Sequence, residues 1–83
     1  MRQLTLMSTL GCHLCEVAAE ILIHTMNPAE YQVDEQDIAD DDGLMDRYAV
    51  RIPVLVDETS GKELGWPFDQ AGLIEFLQGL QSE

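Results

Sequence analysis

The sequence predicts one α/β domain spanning residues 1–83, a sandwich in the order β-α-β-α-β-β-α whose four-stranded mixed sheet is flanked by helices. Three observations predict it. Short β-prone runs alternate with segments whose apolar residues recur at helical spacing. The last two short runs are separated only by turn residues, so they read as an antiparallel hairpin ahead of a closing helix. Finally, 83 residues that are 46% hydrophobic and 24% charged have a globular balance, yet are enough for one core only.

The elements follow in chain order. Gln3 to Ser8 is short, mostly apolar and stops before a glycine, as a buried strand does. Leu14, Val17, Ala18, Ile21 and Leu22 form the i, i+3, i+4, i+7, i+8 stripe of a helix, with Glu16 and Glu20 off the stripe and Asn27-Pro28 ending it. Tyr31 to Ile38 supplies the second strand of a β-α-β unit. Asp40-Asp41-Asp42-Gly43 offers N-caps and acidic first-turn charge to a short helix carrying Leu44, Met45 and Tyr48. Pro53 opens the β-prone run Val54-Leu55-Val56, Asp57 to Gly61 provides turn residues, and Lys62 to Trp66 returns as the hairpin partner. Asp69 caps a last helix with Leu73, Phe76, Leu77 and Leu80 on one face.

Sixteen acidic residues against four basic ones give a net charge of −12, which repels phosphate backbones and anionic lipid surfaces. Neither nucleic acid nor membrane is expected as a partner. The stretch from Met1 to Ser8 lacks the apolar run of a signal peptide, and no stretch approaches the roughly 20 apolar residues that span a bilayer. A cytoplasmic address is the expectation, and there two cysteines are not a secreted-type disulfide scaffold.

Those cysteines lie in Leu10-Gly11-Cys12-His13-Leu14-Cys15, between the end of a strand and the start of a helix. Three residues apart on a first helical turn, their sulfurs can close and open a disulfide with little backbone movement. Unpaired N–H groups and the positive end of the dipole favour a thiolate on Cys12, the natural nucleophile. Cys15, one turn deeper, is the protected thiol that resolves a mixed disulfide on Cys12. Two other readings compete. A zinc site needs two further ligands, and of the histidines His13 points outward while His24 lies roughly three turns along the helix. Alternatively, both cysteines are simply buried hydrophobes. His13 either supports the Cys12 thiolate as a positive neighbour or is an exposed helix-start residue, and Glu16 opposes the thiolate if it turns toward the sulfur. The acidic run fails as a calcium loop: with Gly43 at the sixth position, Ile38 and Ala49 occupy the first and twelfth. No metal is expected. Trp66 is read as packing for the last helix rather than as a wall of the site.

Cys12-x-x-Cys15 after the first strand, Arg51-Ile52-Pro53 leading into the third, and the Gly65 to Asp69 segment together resemble the thioredoxin superfamily, specifically short bacterial glutaredoxin-like chains. The resemblance implies a glutaredoxin-type thioredoxin fold and a small thiol–disulfide oxidoreductase. It further implies that Pro53 is cis and faces the disulfide, while the backbone of Ile52 pairs with an extended thiol substrate. Thiol or disulfide proteins are the implied partners of a monomer that needs no cofactor, with glutathione a candidate co-substrate. The chain departs from typical glutaredoxins in carrying Cys-His-Leu-Cys rather than Cys-Pro-Tyr-Cys, in lacking a basic residue between Gln3 and Cys12, and in replacing a Gly-Gly pair with Gly65-Trp66-Pro67-Phe68-Asp69. Glutathione affinity is therefore expected to be weak and to lean on Arg51, the cation nearest Pro53 in sequence. Two alternatives on the same fold are an iron–sulfur cluster held by Cys12 from two chains with glutathione, and a redox-inert interaction module.

Overall fold

The computed structural model describes residues 2–81. Its elements are β1 (Arg2–Ser8), α1 (His13–Thr25), β2 (Tyr31–Asp37), a single 3-10 turn over Ile38–Asp40, α2 (Asp42–Tyr48), β3 (Val54–Asp57), β4 (Glu63–Gly65) and α3 (Gln70–Gln81). They form a mixed four-stranded sheet in the order β2-β1-β3-β4. β1 and β2 run parallel, as a helical crossover requires, and β1–β3 and β3–β4 pair antiparallel.

Alternation along β1 divides the core. Leu4 and Leu6 join Leu55 beneath α1 and α3, packing with Ala18, Leu22, Leu73 and Leu77. Met7 and Val54 form a second cluster with Ile38 and Tyr48 on the α2 side. The sheet thus has α1 and α3 on one face and α2 on the other.

Two local details depart from the sequence pattern. In α1 the deeply buried positions are Cys15, Ala18 and Leu22, whereas Leu14 is 47% exposed. The buried stripe of α1 therefore starts at Cys15. β2 ends one residue early because Ile38 turns inward to the α2-side cluster, with the Asp37 carboxylate capping the 3-10 turn. Among the candidate caps of α2, Asp41 takes the position, accepting from the N–H groups of Gly43 and Leu44 at 2.8 and 3.2 Å. At α3, Asp69 accepts from Gly72 N–H at 2.8 Å, as its spacing predicts.

Candidate active site

Sheet topology gathers the site before any side chain does. β1 and β2 are parallel and Ser8 aligns with Asp37, so both strands end at the same edge. β3 runs the other way and Met7 pairs with Val54, so the segment ending in Pro53 enters the sheet beside the residues that leave it toward Cys12. Carboxyl ends of parallel strands are where open α/β sheets bind ligands.

The link from β1 to α1 is a tight turn in which Cys12 N–H donates to Thr9 C=O at 3.4 Å. Gly11 sits at φ +77°, a left-handed backbone that side chains disfavour, in the third position of that turn. The turn delivers Cys12 as the N-cap of α1, with φ −83° and ψ 103°. Its Sγ takes the role of a capping oxygen and accepts from Cys15 N–H at 3.1 Å. Cys12 and Cys15 are joined as a disulfide with their Cα atoms 5.2 Å apart. The two sulfurs are not equivalent: Cys12 is half-buried at the helix start, and Cys15 is 5% exposed against the core.

The other sequence-predicted residues divide. His13 is exposed, with Nδ1 3.7 Å from Glu16 Oε2, so its nearest partner is a carboxylate. The Ile52–Pro53 peptide is cis; Ile52 is half-buried against the α2-side cluster, and Pro53 is buried with its C=O accepting from Trp66 N–H at 3.2 Å. Trp66 packs against the main core, edge-on to Phe68 with ring centroids 5.2 Å apart, in line with a packing role.

Arg51 has partners within the protein. Its Nη2 donates to Glu63 Oε1 at 2.5 Å and its guanidinium lies 5.1 Å from the centroid of the Tyr48 ring. Arg47 lies 5.3 Å from the same ring, and the Tyr48 hydroxyl donates to the other Glu63 oxygen at 2.5 Å. The Tyr48 bond and then Arg51 hold the Glu63 carboxyl below its ordinary range, while burial and then the Glu63 carboxylate push the Tyr48 phenol up. Tyr48 and Glu63 were not legible as a unit, because they come from α2 and β4 and meet only once the sheet is assembled.

A cavity of about 510 Å3 opens beside the disulfide and is bordered by Cys12, Cys15, Glu16, Glu20 and Glu35. Glu35 accepts from the Ser8 hydroxyl at 3.2 Å. The spacing of Glu16 and Glu20 by one helical turn signalled a shared face, but nothing in the sequence placed Glu35 opposite them. Among the described residues no cluster of His, Cys, Asp and Glu is arranged to hold a metal ion.

Residues 3–78 match the family model described as glutaredoxin-like domain (DUF836). The chain belongs to this family. The fold is similar to the X-ray structure of the structural genomics target protein XcR50 from X. campestris, at 38% identity over 92% of this chain and 96% of that one with a TM-score of 0.81. The solution structure of XcR50 is likewise similar, at 38% identity over 95% of each chain with a TM-score of 0.78. No curated protein matches. The glutaredoxin-like fold and the cysteine pair at disulfide distance together point to thiol redox chemistry. No helix among the described residues is long and apolar enough to cross a membrane.

Proposed function

We propose that the protein is a small thiol–disulfide oxidoreductase in which Cys12 attacks and Cys15 resolves. The observation that carries this reading is the asymmetry of the pair: Cys12 Sγ sits at the N-cap of α1 and receives an N–H, while Cys15 is buried one turn further on. In the reduced protein, that N–H and the helix dipole stabilise negative charge on Cys12 more than on Cys15.

The chemistry runs in two displacements. The Cys12 thiolate attacks one sulfur of a substrate disulfide, forming a Cys12 mixed disulfide and expelling the other substrate sulfur as thiolate, which takes up a proton from water. Cys15 then gives up its proton and attacks Cys12 Sγ, releasing the second substrate thiolate and closing the Cys12–Cys15 disulfide. The substrate gains two electrons, which the site loses, and two protons, one given up by Cys15 and one from water, to which Cys12 released its own on ionising. A thiol donor restores the dithiol by the reverse exchange, and a cytoplasmic setting suits that return because its thiol pool is reducing. Ile52 supplies backbone for an extended substrate, and Pro53 fixes that segment where β3 begins beside the end of β1.

The test is trapping. Cys15→Ser should accumulate mixed disulfides on Cys12, separable on a non-reducing gel, because attack survives and release does not. Cys12→Ser should accumulate none. Equal capture of the same partners by both variants would reject directional exchange.

A further inference from the structure

The cavity beside the disulfide carries a specificity that the cysteines themselves do not. Glu16 and Glu20 approach it from α1, and Glu35 from the exposed edge strand β2. Neither lysine nor arginine lines it. Two of the four Lys and Arg residues, Arg2 and Arg51, are paired on the β3–β4 hairpin with Asp57 and Glu63, and Arg47 stands over Tyr48 beside Arg51. The volume, about 510 Å3, falls within the range of roughly 300–1,000 Å3 typical of ligand sites. Beside Cys12, Leu10 also borders the cavity and is 90% exposed.

We infer that the site is selective for polypeptide disulfides flanked by lysine or arginine, and that Glu16, Glu20 and Glu35 are the residues that select them. This inference rests on the oxidoreductase reading above. An ammonium or guanidinium one or two residues from the substrate cysteine enters the carboxylate-lined cavity while its sulfur meets Cys12. The carboxylates raise the local concentration of such a cation and repel an anionic disulfide. They also oppose a neighbouring thiolate, so a bound cation relieves that opposition when Cys12 must be ionised. Glutathione, an anionic tripeptide, is the wrong charge for this cavity.

Three synthetic peptide disulfides differing only in the residues flanking cysteine, lysine, serine or glutamate, provide the probes. Each is mixed with the pre-reduced protein, and single-turnover reduction is followed by acid quench and mass spectrometry. At about 20 mM salt the lysine peptide should react about tenfold faster than the glutamate peptide, with the serine peptide between them, and at about 0.5 M salt the ratio should shrink severalfold. Glu16→Gln, Glu20→Gln and Glu35→Gln combined should reduce the ratio. Glu30→Gln, Asp46→Asn and Glu75→Gln combined, which remove the same charge elsewhere, should preserve it. Equal rates for the three peptides in the wild type, or equal loss of the ratio in both triple variants, would overturn the selectivity while leaving the oxidoreductase reading intact. If the serine peptide reacts no faster with the wild type than with Cys12→Ser, the oxidoreductase reading falls and the selectivity falls with it.

Discussion

On the β3–β4 hairpin, Asp57 and Glu63 each hold an arginine; around the cavity at Cys12, Glu16, Glu20 and Glu35 face an opening that no lysine or arginine lines. The two regions lie on opposite sides of β1, on the same sheet. Asp57 is wholly buried and accepts from Arg2 Nε and Nη2 at 2.9 and 2.8 Å and from Ser60 N and Oγ at 2.9 and 2.6 Å. These bonds, led by that from Arg2, hold its carboxyl well below the usual carboxylate range. Charge on the hairpin therefore fastens strands together, whereas charge at the cavity remains exposed to whatever approaches the disulfide. In a chain with sixteen acids and four Lys and Arg residues, where the cations go decides which acids are structural.

The contrast breaks most sharply at Asp57. Asp57→Ala should cost roughly 3 kcal/mol in urea unfolding, because it strands the part-buried guanidinium of Arg2 and unties the hairpin turn. Glu20→Gln should change stability by no more than about 0.5 kcal/mol. Similar costs at the two positions would erase the distinction between fastening and exposed acids.

Acid titration sharpens the same point. A carboxyl depressed in the folded state contributes stability that is complete above its unfolded pKa, about 4, and lost as pH falls through its folded value. Asp57 and Glu63 are both depressed, so stability should fall as pH drops below about 4. Asp57→Asn should flatten that limb of the stability curve.

Smaller effects belong to the Tyr48 cluster. Tyr48→Phe should cost about 1 kcal/mol, the usual worth of one hydrogen bond, and raise the Glu63 carboxyl pKa measured by carbon-detected NMR. Arg51→Ala should cost at most about 1 kcal/mol, since the pair with Glu63 is only part-buried, with side chains 47% and 23% exposed. Because its guanidinium is engaged by Glu63 and Tyr48, that substitution should also leave glutathione exchange on Cys15→Ser unchanged; a marked loss would return Arg51 to the ligand site.

Much of the fold was legible because it rests on short-range periodicity. The helical stripes of α1 and α3, the caps at Asp41 and Asp69 and the turn before β4 all lie within a few residues of what causes them. Leu14 misled because a helical stripe states which residues share a face, not how much of that face the rest of the fold covers. The pairing of Arg51 was not legible because nearness to Pro53 in sequence is silent about a glutamate twelve residues later on another strand.

By itself the sequence determined the element order, the N-terminal position of Cys12 on α1 and the placing of Cys15 one turn deeper, since all three follow from local spacing and backbone preference. Tertiary structure alone decided where charge ends up. Parallel pairing of β1 with β2 carried Glu35 to the cavity that Glu16 and Glu20 border, and antiparallel pairing along β3 gave Arg2 to Asp57 and brought Glu63 to Arg51. These partners stand between 12 and 55 residues apart in the chain. Electrostatic contact depends on distance through space, which only the closed sheet sets.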